Sequence, residues 1–356
     1  MQKLDERKQQ DAFRQLRLPN EKLVDFCSND YLGIVKNNLL HTNYQTLKSG
    51  STGSRLLTGN FLLAEETEQQ VAQFHESEAA LLFNSGYDAN FGILSCVPQK
   101  GDTILYDALC HASIRDGIRL SFAQAFSFSH NDVEDLQKRI QQATGTIFIV
   151  TESVFSMDGD VCPLKKIVNV VKQHNAYLIL DEAHAIGVIG NSGEGLAQHL
   201  QLHHEVFCRI YTFGKACGCH GSVAVGSTLL KDYLINFSRS FIYTTALPEA
   251  SVAAIKKGYE IFPKLQKERE NLAMLIRYFK LAFNKKQSSL TTPIQAFFVK
   301  ENEEAKRKAN ELQQAGFDVR PILSPTVPKG TERLRIILHS FNTKEQLDML
   351  IDLLQQ

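Results

Sequence analysis

The sequence from residue 176 to residue 215 reads AYLILDEAHAIGVIGNSGEGLAQHLQLHHEVFCRIYTFGK. It contains two short, mostly apolar runs, and each is followed by a group that can take part in chemistry: Asp181 follows the first run and Lys215 follows the second. Such runs are typical of strands that are covered on both faces in a parallel sheet. Because open α/β sheets bind ligands beyond the carboxyl ends of their strands, we expect Asp181 and Lys215 to face one crevice.

A lysine and a carboxylate in one crevice suit pyridoxal phosphate (PLP), which needs an amine for its Schiff base and an acid to keep its pyridine nitrogen charged. The stretch LILDEAH, residues 178–184, also has the form of the magnesium-binding strand of a helicase-type ATPase. That alternative requires the loop GxxxxGK[ST]. Its candidate, Gly214 with Lys215, is followed by Ala216 and has Arg209 in place of the first glycine. The pattern therefore argues against an ATPase.

The composition favours a protein that acts on small molecules. In 356 residues, Lys plus Arg and Asp plus Glu are equal at 39 each, so net charge gives no reason to expect a nucleic acid or an anionic membrane as a partner. No apolar stretch is long enough to span a bilayer, and residues 1–17 lack the apolar centre of a signal peptide. We expect a cytoplasmic protein.

The seven cysteines are scattered through strand-like and loop-like segments, which favours reduced thiols over a disulfide framework. A zinc site could be imagined from Cys217, Cys219 and His220, with His203 and His204 nearby in sequence. The spacing is not that of a common structural zinc site. We therefore predict no metal.

Apolar runs and helical patterns alternate from residue 79 to residue 174, which is the rhythm of a doubly wound domain. The turn at Gly86 and Tyr87 connects a strand to a helix, so its backbone N–H groups could bind a phosphate, although an ordinary turn explains the pattern equally well. His111 lies just past another strand, on the expected ligand side. Glu152 and Ser156 follow a third strand and should share the crevice with Asp181.

The remaining segments complete three predicted regions: an N-terminal arm, residues 1–45; a large domain, residues 46–248; and a small C-terminal α/β domain, residues 249–356. We predict a helix from Leu4 to Leu16 in the arm, and a strongly helical stretch from Ala250 to Phe283 at the start of the small domain.

Five motifs occur in an order that resembles the α-oxoamine synthases, a family of fold-type I PLP enzymes. They are SNDYLG at 28–33, GSRLLTGN at 53–60, VFSMDGD at 154–160, PTVP at 325–328 and RLRI at 333–336. The resemblance runs almost from end to end. It implies an α/β fold with a mostly parallel seven-stranded sheet in the large domain, and a smaller C-terminal α/β domain.

The resemblance also implies roles at the cofactor. Lys215 would carry the Schiff base, Asp181 would pair with the pyridine nitrogen, His111 would stack on the ring and His184 would reach the ring hydroxyl. Further residues would surround the cofactor and its phosphate: Gly86, Tyr87, Ser156 and Thr212. Glu152, from its place at a strand end, is also predicted to bind the cofactor. Thr244 would reach the phosphate of a neighbouring subunit, so we expect a homodimer.

On the substrate side, the resemblance implies that Asn29 and Arg335 hold the carboxylate of an amino acid, and that Arg14 and Thr326 line the acyl site. Arg17 is an alternative to Arg14. The expected reaction condenses a small amino acid with an acyl thioester and releases carbon dioxide. Alanine, glycine and serine remain open on chemical grounds, as does the carrier, coenzyme A or acyl carrier protein.

Two positions depart from the family pattern. Thr52 replaces a glycine in the loop before the second motif, and Cys217 stands where a bulky apolar residue usually follows the lysine. We expect both changes to alter the pocket without removing activity.

Overall fold

The computed structural model describes residues 2–16, 18–41, 47–283 and 292–356. Its strands are β1 Val24–Asp25, β2 Ala79–Phe83, β3 Thr103–Asp107, β4 Gln124–Phe128, β5 Ile147–Glu152, β6 Tyr177–Asp181, β7 Cys208–Thr212, β8 Ser222–Gly226, β9 Ile294–Phe298, β10 Phe317–Asp318, β11 Arg320–Ile322 and β12 Arg333–Ile337. Its α-helices are α1 Gln2–Gln9, α2 Leu62–Phe74, α3 Gly86–Cys96, α4 Ala112–Leu120, α5 Val133–Ile140, α6 Leu164–Gln173, α7 Leu196–His199, α8 Thr228–Phe237, α9 Arg239–Ile242, α10 Glu249–Ile261, α11 Gln266–Ala282, α12 Asn302–Gln314 and α13 Lys344–Gln355. No helix in these ranges is both long and apolar enough to cross a membrane.

A seven-stranded sheet with the order β2-β8-β7-β6-β5-β3-β4 dominates the fold. The five strands from β7 to β4 run parallel, and β8 is antiparallel to both of its neighbours. The strands are apolar because helices cover the sheet; Leu81, Val150, Ile179 and Ile210, for example, belong to one buried core with residues of α3 and α4. The predicted α/β class with a mostly parallel seven-stranded sheet is confirmed.

The register of this sheet brings several strand ends to one edge. Glu152 pairs with Asp181, and Asp181 pairs with Ile210 of β7. Further along the edge, Thr212 pairs with Ser222, which in turn pairs with Phe83. The polar residues that follow these strands therefore start from a common edge of the sheet.

The chain forms two compact units. One comprises Leu32–Phe155 and Asp160–Gln266 and contains the seven-stranded sheet; we call it the sheet unit. The other, the terminal unit, comprises Met1–Tyr31, Ser156–Gly159 and Lys267–Gln356. The boundaries of the arm and the two domains drawn from the sequence stay predictions; the one after residue 45 adjoins residues 42–46, which lie outside the described ranges.

The terminal unit contains two small sheets. β1 pairs with β10 in parallel, and β11, β12 and β9 form an antiparallel sheet with β12 at its centre. α13 begins with a capping box, in which Thr343 and Gln346 satisfy each other's backbone amides. The central strand, β12, carries Arg335, which the sequence predicts to bind the carboxylate of an amino acid.

Two predicted helices differ from the structure. The N-terminal helix was expected to run to Leu16 but ends at Gln9, because Asp11 adopts a left-handed backbone with φ of 52° that closes the last turn. The stretch from Ala250 to Phe283 is two helices, α10 and α11, separated by a 3₁₀ turn around Pro263. Proline lacks the N–H that would continue the hydrogen-bond ladder of the first helix.

Candidate active site

Asp181 ends β6 and is only 5% exposed. Its Oδ2 accepts a hydrogen bond from Asn90 Nδ2 at 2.7 Å, and its Oδ1 accepts one from the backbone N–H of Ala183 at 2.8 Å. Both donors are neutral, so these bonds orient the carboxylate without cancelling its charge. A buried acid held in this way is suited to binding a cationic N–H group.

The same Asn90 amide connects Asp181 to His111. Asn90 Nδ2 also donates to Ser113 Oγ at 3.1 Å, and Ser113 Oγ lies 2.8 Å from His111 Nδ1. His111 caps α4, where its Nδ1 accepts the backbone N–H of Ser113 at 3.2 Å. Because Nδ1 acts as an acceptor, the neutral ring of His111 carries its proton on Nε2.

The charge state of His111 follows from its surroundings. Burial lowers its pKa below the ordinary value; the nearby Asp181 acts in the opposite direction, and the charge of Lys215 adds to the decrease. A neutral imidazole with a fixed tautomer can lie on an aromatic ring and offer one N–H donor from Nε2. This agrees with the stacking role that the sequence resemblance implies.

Glu152 ends β5 beside Asp181 and is 3% exposed. Its Oε1 accepts the backbone N–H of His111 at 2.6 Å. Burial raises the pKa of Glu152 well above its ordinary value, and the charge of Asp181 raises it further. Glu152 therefore anchors the turn of His111 through the backbone, next to the carboxylate of Asp181.

Lys215 follows β7 and is half-buried. Its Nζ donates to Thr212 Oγ1 at 3.0 Å. Thr212 also contacts the start of α3, since a Cβ added to Gly86 would lie 2.3 Å from Thr212 Cγ2. The charges of Lys215 and Asp181 both act on His111 and on Glu152. The structure thus brings these predicted residues together in the sheet unit.

The start of α3 has the features of an anion site. Ser85 is the N-cap, and its Oγ accepts the backbone N–H of Asp88 at 3.1 Å. The amides of Gly86 and Tyr87 precede the first hydrogen bond within the helix and carry the positive end of its dipole. Only glycine leaves room at position 86 beside Thr212. These residues fit a bound phosphate group.

Together these observations fit PLP. The chain offers an amine at Lys215, a buried acid at Asp181 whose hydrogen-bond donors are neutral, a neutral His111 and an anion-binding helix start at Gly86. Each of these four groups matches one part of the cofactor: in the same order, the aldehyde, the pyridine nitrogen, the ring face and the phosphate.

Three further predicted cofactor residues lie in the sheet unit. His184 is buried three residues past Asp181. Tyr87 is 44% exposed, and its hydroxyl donates to Asp116 Oδ2 at 2.6 Å. Thr244, which was predicted to reach the phosphate of a neighbouring subunit, accepts on its Oγ1 a hydrogen bond from Asn84 Nδ2 of its own chain at 2.9 Å. Their roles at the cofactor stay predictions.

The predicted carboxylate-binding residues form a pair in the terminal unit. Arg335 Nη2 donates to Asn29 Oδ1 at 3.0 Å, and Arg335 Nε donates to the carbonyl of Ser156 at 2.7 Å. The hydroxyl of the buried Tyr31 donates to the same Asn29 oxygen at 3.1 Å. Both bonds to Asn29 use Oδ1, so Nδ2 of Asn29 and Nη1 of Arg335 are directed elsewhere and can meet a carboxylate.

Arg14 and Thr326, the two predicted acyl-site residues, also meet in the terminal unit. Arg14 Nη2 donates to Thr326 Oγ1 at 3.1 Å. The alternative residue, Arg17, lies outside the described residues. Ser156, which was predicted beside the cofactor, belongs to the terminal unit through its contact with Arg335, and its cofactor role stays a prediction.

The sequence interpretation missed Asn90 and Ser113. Asn90 lies among buried residues of α3 that include Ala89, Ile93 and Leu94. An amide on the apolar face of a helix costs free energy unless it has partners. That position was the available signal, since the helix itself was expected.

A second buried acid was also missed. Asp107 ends β3 and is fully buried. It accepts hydrogen bonds from His130 Nδ1 at 2.9 Å and from the backbone N–H groups of Leu109 and Asn131, both at 2.8 Å. His130 Nε2 in turn donates to Asp160 Oδ2 at 2.7 Å. Burial alone would lower the pKa of His130, but its bonds to the two carboxylates outweigh this and raise the pKa to about 10.

Of the two departures from the family pattern, Thr52 has a visible structural effect. It adopts a left-handed backbone with φ of 57°, a conformation that glycine takes freely. A β-branched residue there costs about 1–3 kcal/mol. Cys217 is buried, and burial raises the pKa of its thiol well above the ordinary value, so it packs as a small apolar group.

The fold and this set of residues define a fold-type I PLP enzyme. The family model for aminotransferase class I and II matches residues 21–354. The chain is 40% identical over 340 residues to an 8-amino-7-oxononanoate synthase from Lysinibacillus sphaericus, a match that covers 93% of this chain and 87% of the relative.

Two solved structures extend the comparison. A serine palmitoyltransferase variant from S. paucimobilis with a bound PLP–myriocin aldimine has a TM-score of 0.87 at 29% identity, covering 94% of this chain and 86% of that chain. The 8-amino-7-oxononanoate synthase from Francisella tularensis has a TM-score of 0.81 at 28% identity, covering 94% and 97%. The chain belongs to the aminotransferase class I and II family and, within it, to the α-oxoamine synthases.

Proposed function

We propose that this protein is an 8-amino-7-oxononanoate synthase, a PLP-dependent acyltransferase of biotin biosynthesis. It condenses L-alanine with a pimeloyl thioester, from coenzyme A or acyl carrier protein, and releases carbon dioxide. The observation that carries the proposal is the 40% identity, over 93% of this chain, to the Lysinibacillus synthase. The ordered polar network around Asp181 supports it independently, because the chemistry needs a buried charged acid.

When bound, PLP supplies an electron sink for the negative charge that develops at the α-carbon of the amino acid. In the proposal, the amine of Lys215 would hold the cofactor and would be the base placed to accept the α-proton. Asp181 holds the proton on the pyridine nitrogen, and its hydrogen bonds to Asn90 and Ala183 keep the carboxylate oriented for this. The amides at the start of α3 bind the phosphate.

His111 lies on the cofactor ring in this proposal. Its neutral state keeps positive charge away from the ring face, and its Nε2–H remains available as a donor. His184 would bind the ring hydroxyl. Glu152 accepts the backbone N–H of His111 and holds it in place, so it acts as a positioning residue.

Arg335 and Asn29 bind the carboxylate of the amino acid in this proposal. The support is their fixed orientation: Ser156 and Tyr31 engage the remaining polar atoms of the pair, so one guanidinium nitrogen and one amide nitrogen can converge on an anion. Arg14 and Thr326 bind the acyl substrate. The distal carboxylate of a pimeloyl chain suits a cationic and hydroxyl pair.

A second candidate function is the serine palmitoyltransferase type. The observation that favours it is the TM-score, which is 0.87 for the S. paucimobilis transferase and 0.81 for the Francisella synthase. A single methyl or hydroxyl group in a small pocket changes binding by only about 1–3 kcal/mol. Direct measurement of substrate choice therefore has to separate the two functions.

The experiment is a matrix of alanine, serine and glycine against pimeloyl, acetyl and palmitoyl thioesters, with release of free thiol as the readout. We expect alanine with the pimeloyl thioester to give the highest kcat/KM by a wide margin. An optimum with serine and the palmitoyl thioester would overturn the proposed substrates in favour of the second candidate. Absence of thiol release with every pair would overturn both.

We also propose that the protein is a cytoplasmic homodimer in which Thr244 of one subunit reaches the phosphate site of the other. The hydrogen bond from Asn84 orients the Thr244 hydroxyl and leaves its proton free to donate to an anion. Acyl carrier protein is a further proposed partner, as the carrier of the pimeloyl group. A sedimentation experiment that found a fully active monomer would exclude the shared site.

A further inference from the structure

Glu76, His203 and His204 form a cluster outside the residues assigned to the cofactor and substrates. Glu76 follows the C-cap of α2, and the two histidines begin the 3₁₀ helix His203–Glu205. One potential ligand atom from each side chain lies within 4.8 Å of the other two. His203 Nε2 is 3.0 Å from Glu76 Oε2, and the two imidazole rings are 3.9 Å apart between centroids. Although the histidines are adjacent in sequence, their side chains converge.

We propose that Glu76, His203 and His204 bind one divalent transition-metal ion, with zinc as the ion that suits this donor set. Two imidazoles and one carboxylate are common zinc ligands, and water can complete a tetrahedral site. At zinc bond lengths, ligand atoms lie roughly 3.3–3.5 Å apart. The pair of His203 and Glu76, at 3.0 Å, must therefore open slightly, and any pair near the 4.8 Å limit must close. The exposed side chains of Glu76 and His204 can move to do so.

The fixed member of the site is His203, which is 7% exposed. Its Nε2 faces Glu76 Oε2 at 3.0 Å, and its ring lies against that of His204. The imidazole of His203, held in place in this way, can present a nitrogen to a metal ion without rearranging. Its Nδ1 is buried and has no hydrogen-bond partner among the described residues, so the imidazole is only partly satisfied by the protein.

Gln198 orients the carboxylate of Glu76 through a hydrogen bond to Oε1, the oxygen that does not face His203. The amide Nε2 of Gln198 donates to Glu76 Oε1 at 3.2 Å and to the carbonyl of Phe74 at 3.1 Å. A hydrogen bond to the second oxygen of a ligating carboxylate is a usual supporting contact in metal sites. It leaves Oε2, the oxygen that faces His203, as the ligand atom.

Glu76 occupies the turn that ends α2. Its φ is 49°, and it occupies the left-handed position after α2, with the N–H of Ser77 bonded to the carbonyl of Ala72. Glycine is the common residue at this point of a helix end and would make the same turn at lower cost. The turn fixes the backbone position from which the Glu76 side chain reaches His203.

A metal here would connect the end of α2 to the segment that leads into β7. It would stabilise the sheet unit by binding the folded chain and not the unfolded one. None of the three ligands is assigned to the reaction, so the site is independent of the proposed substrates.

The test uses the holoenzyme after treatment with a chelator, with zinc chloride as the probe in calorimetric titration. His204→Gln and Glu76→Gln change exposed side chains, and circular dichroism checks that each variant is folded. The matched control is His199→Gln, an exposed histidine of α7 outside the cluster. We expect the wild type and His199→Gln to bind one more equivalent of zinc than the other two variants, or to bind it at least tenfold more tightly.

Two further measurements decide the outcome. Zinc should raise the thermal midpoint of the wild type and of His199→Gln, but not that of His204→Gln. X-ray absorption at the zinc edge should show nitrogen and oxygen ligands without sulfur. Equal stoichiometry and affinity in the wild type and His204→Gln, or sulfur coordination from the free cysteines, would overturn the proposal.

Discussion

Asp181 and Asp107 are two buried acids at the same edge of the same sheet, yet their partners differ in charge. Asp181 ends β6 and is held by the neutral donors Asn90 and Ala183. Asp107 ends β3 and is held by two backbone amides and by His130, whose raised pKa makes it a cation near neutral pH. The hydrogen bonds that orient the Asp181 carboxylate come from neutral donors, whereas the Asp107 carboxylate is paired with a cation inside the protein.

The difference teaches that an acid at a strand end is not by itself a functional signal. The role of such an acid depends on whether the protein itself provides a cationic partner for the carboxylate. Asp181 is suited to an external cationic group, whereas Asp107 joins the turn after β3 to the segment that contains Asp160. Variants of the two sites should therefore affect different quantities: turnover at Asp181 and folding stability at Asp107.

The largest effect is expected for Asp181→Asn. The amide keeps the shape of the side chain but cannot balance a charged pyridine nitrogen, so kcat/KM for alanine and the pimeloyl thioester should fall by about 100- to 1,000-fold, or about 3–4 kcal/mol of barrier. Steady-state kinetics measures this, with the urea unfolding midpoint as a control for the fold. A loss of less than about tenfold would show that Asp181 does not have the assigned role.

An effect on stability is expected for His130→Gln. Removing the cation leaves Asp107 fully buried without a charged partner, which should lower the free energy of unfolding by about 3 kcal/mol. The kcat/KM of the folded variant should stay within about fivefold of the wild type. Urea denaturation followed by circular dichroism measures the stability. If the variant loses turnover but not stability, the contrast between the two acids is wrong.

The smallest expected effect is a decrease, at alkaline pH, in the stability that His130 contributes to the folded protein. The pKa of His130 is raised in the folded state to about 10 from an ordinary value of 6.5. The stabilisation it provides is therefore complete below about pH 6.5 and is lost as the pH rises through about 10. The difference in unfolding free energy between wild type and His130→Gln should shrink steadily from pH 7 to pH 10. A difference that stays constant or grows over this range would contradict the protonated state.

The central residues of the site could be predicted from the sequence because strand ends are visible in it. Asp181 and Lys215 follow apolar runs, and the topology of a parallel sheet brings such ends together. The family resemblance added the pair of Asn29 and Arg335, which no local pattern connects over 306 residues of separation.

Other parts could not be predicted because they depend on tertiary contacts. Asn90 is an uncharged residue within a helix, and only the packing of α3 against the sheet directs its amide to Asp181. His130 lies in a loop, and its charge depends on two acids distant in sequence. The early end of α1 depends on a left-handed residue, Asp11, for which glycine would have been the clearer signal.

The hydrogen-bond chain from Asn90 through Ser113 to His111 gives the protein an internal spectroscopic reporter. Because Nδ1 of His111 accepts the backbone N–H of Ser113, the two ring nitrogens of His111 are inequivalent. Nitrogen-15 resonances differ strongly between a protonated and an unprotonated imidazole nitrogen. In a histidine-labelled sample, the resonance of Nδ1 would therefore report on the order of the polar network directly, without a substrate and without turnover.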